Sequence, residues 1–342
     1  MNDASHLTLL AWDDSRHHAP GLIWAYRGAA GQAPQPIAPK DIEAALAAPD
    51  GWVWLHVDLI DQRAHSWISH ACALPQSAHA ILEGHEDSMA LAHEKGVVHG
   101  IAADLHGEIG RRSTTIGRLH FAVTDRLLVT GRRHSLAAVE EVNKALSQGF
   151  QPATAFELFG AIVLAFCGSA SGRLALATKQ LDEVEDRLVT ERLADERRRI
   201  KEVRRLGVSL HRPIAAQVAL FLDENRAGWE LSAGAHEILG KLAARLKRLD
   251  REVVMVNDRA RLLQEEVAAE LADESNRSLK ALAVMSALLL PGTLIVGIFG
   301  MNTEGLPLTH THGGFLLAML LAGGATGLFY WLLLRAGADL KF

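Results

Sequence analysis

The sequence predicts an α+β cytoplasmic domain, followed by long stalk helices and a C-terminal two-helix transmembrane hairpin. Three observations carry this. Strand-like runs are confined to the first 150 residues, strand signals cease after Pro152, and two uncharged apolar stretches close the chain. Residues 281–301 and 314–334 hold no Asp, Glu, Lys or Arg, and about 20 such residues are what a helix needs to cross a bilayer. The expected domains are therefore 1–150, an α/β domain; 151–280, a helical stalk; and 281–342, the hairpin with a short tail.

Taken in order, residues 6–12, 22–26, 52–58, 96–102, 119–124 and 126–130 are short β-branched or aromatic runs bounded by turn residues, and they predict strands. Residues 39–46 and 135–147 have the spacing of amphipathic helices, and the Pro-rich stretch 31–39 predicts a loop. The alternation Trp52, Trp54, His56 turns one face of its strand inward, as core packing. Beyond Pro152, residues 153–189 predict one helix and 195–225 a second, with a kink at Pro213. Ser232 is the expected N-cap of a third, which no Pro or Gly signal stops between Lys241 and Pro291. If it runs on to Asn302 it is about 105 Å long at 1.5 Å per residue, several bilayer thicknesses, so most of it stands outside the membrane. The charge runs at 196–199 and 247–252 are expected to be solvated or ion-paired faces.

Composition narrows the function. Among 342 residues, 22% are charged and 49% hydrophobic with a net charge of −5, which argues against nucleic acid as a partner. The polar start, residues 1–6, lacks the cationic and apolar regions of a secretory leader, so the N-terminus is expected to stay in the cytoplasm. Cys72 and Cys167 are far apart and in no metal-binding spacing, and they are expected to be buried, reduced thiols. The 17 His are scattered, and each taken alone reads as a solvated surface imidazole. No HExxH, Walker A or dinucleotide fingerprint occurs, and Ala170 occupies the nucleophile position of the one elbow-like Gly spacing. The chain is therefore not expected to be an enzyme.

The first apolar stretch closes on Gly300-Met301-Asn302, preceded by Leu290-Pro291-Gly292-Thr293 and followed by Asn302-Thr303-Glu304-Gly305-Leu306-Pro307. This motif at the mouth of the first of two C-terminal spans, behind a large soluble part and a long charged helix, resembles the CorA superfamily of divalent-cation transporters. The loop after the motif looks more like the ZntB zinc-transporter branch, although Glu304 replaces one of that branch's two usual loop glycines. The resemblance implies a homopentamer forming a funnel-shaped pore in the bacterial inner membrane, and proton-coupled zinc entry. It also matches Asn302, Thr293, Leu290, Leu282, Leu279, Asn276 and Glu265 to the family's pore-lining register.

The residues give a compatible reading of their own. Asn276 and Glu265 are eleven apart, three turns at about 3.67 residues each, so they stack on one side of the helix. The stripe then runs from a polar mouth (Asn302, Thr293) through an apolar middle (Leu290, Leu282, Leu279) to a polar, acidic throat (Asn276, Glu265). Amide oxygens of Asn302 can hold a hydrated cation without the grip of carboxylates, and an apolar collar can close by dewetting. Two charges moving inward gain about 4.6 kcal/mol per 100 mV of membrane potential. The alternative is that Asn276 and Glu265 are ordinary exposed residues and that Thr293 bonds back within its helix. Glu304, His310 and His312 are candidates to gather cations at the outer loop, and a His-x-His pair favours zinc over magnesium.

One hairpin cannot enclose a water-filled path, so several copies must ring an axis. Gly323, Gly327 and Ala318 are small residues that let the second span pack closely. The loop 302–313 has no Lys or Arg, while Arg277 and Lys280 precede the first span and Arg335 and Lys341 follow the second, so both ends are expected in the cytoplasm. The expected function is zinc uptake through a homo-oligomeric pore. The partners are the bilayer, divalent cations and copies of the same chain, and there is no resident cofactor. Magnesium, cobalt or nickel transport is the alternative ion reading, and a membrane-anchored cytoplasmic metal sensor or scaffold is the alternative class.

Overall fold

The computed structural model of the chain describes residues 19–83, 88–108, 111–188, 193–223, 228–301 and 313–335. The strand expected at residues 6–12 lies outside them. The chain divides into two compact units, Met1–Leu263 and Gln264–Phe342.

The first unit is built on a sheet whose described strands are β1 (Leu22–Gly28), β2 (Gln35–Pro36), β3 (Trp52–Asp58), β4 (Ala90–Glu94), β5 (Val97–Glu108), β6 (Arg111–Val123) and β7 (Leu127–Arg132). Their order is β2-β1-β3-β7-β6-β5-β4. Only β3 and β7 run parallel, with Trp54 beside Leu128 and His56 beside Thr130; the other pairs are antiparallel. Helices α1 (Ile42–Ala47), α2 (Gln62–Ala71) and α3 (Gln76–Leu82) cover one face. There Val53, Leu55, Val57, Ala122 and Val129 pack with Ile42, Ile68 and Leu82.

The other face carries Trp52, Trp54 and Phe121, all buried. It meets α4 (Ala137–Ser147) and α5 (Ala155–Leu188). The Phe121 and Phe159 rings lie 4.3 Å apart, and Trp52 Nε1 donates to the Pro152 carbonyl at 2.7 Å. The strand β3 is thus buried on both faces, where its alternation predicted one. A strand next to a parallel partner and sandwiched between helix layers has no solvent side to mark with polar residues.

Four elements were not anticipated: the two-residue β2, which pairs with β1 inside the stretch 31–39 expected to be a loop, and β4, α2 and α3. β4 has no β-branched residue, and it is fixed instead by its turn to β5: Lys95 (φ 50°) and Gly96 (φ 76°) both occupy the left-handed region, as a two-residue primed hairpin turn requires. A Cβ on Gly100 of β5 would lie 2.0 Å from the Ala90 carbonyl oxygen, so only glycine admits β4 at this point. α2 begins at Asp61, whose carboxylate accepts from the Arg63 amide at 3.1 Å, and it buries Ala64 and Ile68 four residues apart; α3 likewise buries Ala78 and Leu82.

Helix α6 (Leu193–Phe221) contains Pro213 and runs on through it. The helix α7 (Ala233–Phe299) starts at Ser232, whose hydroxyl accepts from the Ala235 amide at 3.2 Å, as the sequence predicts. Within the first unit, Arg259 of α7 bridges Asp182 and Glu185 of α5, while Arg199 of α6 reaches Glu183 and the buried Glu196. The charge runs are ion-paired faces. Cys72 and Cys167 are free and buried, and burial pushes their thiols up to about 12 and about 11.

Three described helices are long and apolar enough to cross a membrane: α5, α7 and α8 (Gly314–Arg335). Burial separates them. The apolar window of α5 is 56% buried inside the first unit, against 0% for those of α7 and α8.

Candidate functional site

The candidate site is the exposed face of α7 from Glu265 to Met301. In the second unit, Val284, Leu288, Pro291, Gly292, Ile295 and Phe299 are partly covered, and they recur at three- and four-residue steps. α8 lies against this face: a Cβ added at Gly292 would sit 3.4 Å from Thr326 Oγ1, and Ala322 one turn earlier is buried. Ala318 falls on the same covered stripe of α8. Gly323 and Gly327 do not, and a Cβ on either would meet nothing within 4 Å. Their small size serves no contact within the described hairpin.

At 100° per residue, the centre of the predicted stripe lies roughly 170° from the centre of the covered face. Glu265, Asn276, Leu279, Leu282, Leu290, Thr293, Gly300 and Met301 are all exposed. Leu279, Leu282 and Leu290 expose 60%, 62% and 65% of their area, values that no core leucine of the first unit approaches. Leu282 stands at the edge of the stripe, and Leu279 and Leu290 lie near its middle. The positions on this face follow a 3.5-residue repeat: Asn276, Leu279, Ala283, Ser286, Leu290, Thr293, Gly297, Gly300. Ala283 and Ser286 are not among the expected pore-lining residues, although counting in sevens from Asn276 and Leu279 finds both. Ser286 puts a hydroxyl within the otherwise apolar middle.

The helix is unbroken across Pro291. Having no N–H, the proline leaves the Ala287 carbonyl without its helical donor. The Thr293 hydroxyl donates to the Leu289 carbonyl, the back-bond that the sequence left as an alternative. That bond uses the hydroxyl hydrogen and leaves the oxygen's remaining lone pair as an acceptor. Asn302, Glu304, His310 and His312 lie outside the described residues; Gly300 and Met301 stand at the end of α7, where the Gly300 amide closes the last turn on the Val296 carbonyl at 2.9 Å.

Among the described residues, no group of three or more His, Cys, Asp or Glu could hold a metal ion. Two histidines of the first unit, His99 and His120, are nonetheless not the solvated surface groups expected of them, while His56 lies on the inward face that its strand's alternation predicts. His56, His99 and His120 are buried, because each occupies a sheet position whose side chain turns toward a helix layer. The His56 Nδ1 and Thr130 Oγ1 atoms lie 2.8 Å apart, and its ring stacks on Trp24 at 4.4 Å. Burial, aided by Arg132, holds the imidazole well below its usual range, so it is neutral.

An uncharged helix of membrane length, an unpartnered 3.5-repeat face with an apolar middle, and an α/β unit before it define a class of membrane protein. The family model described as "CorA-like Mg2+ transporter protein" matches residues 49–335, and the chain belongs to that family. It is 24% identical over 323 residues to the divalent cation transporter CmaX of Pseudomonas aeruginosa, covering 92% of this chain and 96% of that protein. It is 22% identical over 288 residues to the zinc transport protein ZntB of Pectobacterium atrosepticum, covering 82% and 86%. The solved structure of full-length CmaX superposes with a TM-score of 0.77 at 23% identity, covering 93% of this chain and 98% of that one.

Proposed function

We propose that this chain transports divalent cations across the bacterial inner membrane, and that its main substrate is zinc, moving inward through a homopentameric, funnel-shaped pore lined by α7. The observation that carries this reading is the exposed stripe: the described positions among those expected to line the path, Glu265 to Thr293, lie opposite the face that α8 covers. A helix whose only task was to anchor the chain would not need a polar, apolar, polar order in one register. In this reading residues 1–150 and 151–280 are cytoplasmic, the spans run about 281–301 and 314–334, and both termini face the cytoplasm. The family membership supports cation transport, and the ZntB-like loop supports zinc.

The residues have distinct tasks. Asn302 side-chain oxygens ring the mouth and hold the ion through its water shell. Glu304, His310 and His312 raise the cation concentration outside it. Leu290, Leu282 and Leu279 form a collar that closes by dewetting, with Ser286 as a wetting point inside it. Asn276 and Glu265 receive the ion on the cytoplasmic side. No Asp, Glu, His, Lys or Arg lies in either span to carry a proton, so any coupling runs through water or the loop. Magnesium, cobalt or nickel remains the second reading for the ion, since the matching family is described by magnesium.

Uptake into liposomes carrying the purified chain tests both readings. Zinc entry faster than magnesium entry, driven by an inside-negative potential, is the expected result, and a pH-gradient arm reads proton coupling. Faster magnesium entry reassigns the ion. Assembled protein that admits neither these ions nor cobalt or nickel leaves only the anchored sensor or scaffold.

A further inference from the structure

The first unit holds a cavity of about 360 Å³ whose lining is basic. It lies where β6 loses its neighbour. Pairing between β6 and β7 ends at His120 and Gly131, and the chain after β7 crosses to β5, where Leu136 bridges His106 and the Gly107 amide donates to the Ser135 carbonyl at 2.9 Å. Continued for two more residues, the β6–β7 register would set Arg118 opposite Arg133, and like charges directly opposite disfavour pairing. Both arginines line the cavity instead, together with His106, His120 and His134. The remaining lining residues, Ile116, Gly117 and Leu136, are uncharged, so among the described residues no carboxylate lines the space.

Packing sets the walls. A Cβ on Gly117 would lie 2.6 Å from Leu136 Cδ2 and 2.7 Å from His106 Cδ2, so these two side chains close onto bare backbone. The His106 and His134 rings stand 5.2 Å apart, with their planes at 48°. His120 is buried and donates from Nδ1 to the Ile81 carbonyl at 2.8 Å, which holds its ring in place. Arg133 and His134 are exposed and Arg118 is half-buried, so the cavity has a buried floor and a basic mouth.

We propose that this cavity binds a small organic phosphate, with the phosphate between Arg118 and Arg133 and the organic part against the His106 and His134 rings. Guanidinium groups suit phosphate because they present parallel N–H donors to its oxygens. Both arginines have partners of their own, and the five donors of each guanidinium allow a ligand to bind beside them. A bound anion also relieves the crowding of basic groups around one space. Size selects an organic phosphate over a bare ion, because the volume falls within the roughly 300–1,000 Å³ of small-molecule sites. The imidazole rings and Ile116 supply stacking and apolar surface that an organic ligand uses and a free ion does not. The inference is independent of the transport reading and of the ion.

Isothermal titration calorimetry on the full-length chain in detergent tests it, with AMP, glucose 6-phosphate, adenosine and inorganic phosphate as probes. AMP or glucose 6-phosphate is expected to bind more tightly than inorganic phosphate, and the tighter of the two identifies the organic part. Arg118→Gln and Arg133→Gln should each weaken that binding about ten-fold or more, the loss of one charge-assisted hydrogen bond. Because Arg133 is exposed, Arg133→Gln should leave the melting temperature of the unliganded chain unchanged, which separates lost binding from lost folding. Binding of neither organic phosphate, inorganic phosphate bound as tightly as both, or a double Gln variant that binds as wild type does overturns the proposal. Adenosine bound as tightly as AMP overturns it as well, since the phosphate would then contribute nothing.

Discussion

Asp104 caps a helix that has no cap of its own. The N-cap position of α4 is Leu136, and the carboxylate arrives instead from β5, accepting from the Ala138 amide at 3.0 Å and the Leu105 amide at 2.6 Å. Burial pushes this carboxyl up from 3.8 to about 7, against the pull of those donors. Between the two values the folded chain holds a proton that the unfolded chain releases, so this group favours folding at the acid end and loses that contribution as pH rises through about 7. The thermal midpoint of the solubilised chain should therefore fall between pH 5 and pH 8 by an increment that Asp104→Asn removes. The other residue-scale prediction concerns the motif. Asn302→Asp should tighten zinc binding and slow release, while Asn302→Ala should lose capture, with both variants assembling normally. Zinc flux through assembled Asn302→Ala at the wild-type rate would remove the mouth assignment.

In α7 most of the architecture was legible, because its signals are local: a Ser cap, an uncharged stretch, and a polar residue every few turns. The exposed face of the candidate site was legible for the same reason, since Glu265 to Thr293 lie on one helix and helical periodicity is readable without partners. What escaped were features decided by contact. His99 and His120 look like any other histidines in sequence, and the two-sided burial of β3 follows from its pairing with β7, some seventy residues away. β4 is held by the turn at Lys95-Gly96 and by the absent side chain of Gly100. The Gly323 and Gly327 pair was readable as small residues, and within the described hairpin of one chain neither meets the first span. The collar gives the prediction at this scale. Leu290→Asn should wet it and raise basal zinc flux at constant driving force, measured in the same liposomes. Unchanged flux would move the gate to Leu282 or Leu279.

For the whole molecule, the test is topology. A cysteine placed at Thr311, with Cys72 and Cys167 buried, should react with an impermeant maleimide added outside intact cells. Reaction only after the cells are opened would invert the orientation. The burial of α5 bears on how that orientation is reached during synthesis. Its first half leaves the ribosome well before α7 and α8, and by length and composition it qualifies as a membrane segment. The surface that competes with lipid for it is the sheet, whose described strands all precede it in the chain, so the partner of Phe156, Phe159 and Phe166 has already been synthesised when they emerge. Order of synthesis thus favours correct sorting: the strands come first, and the apolar helix that belongs to them does not have to wait for its partner in the presence of lipid.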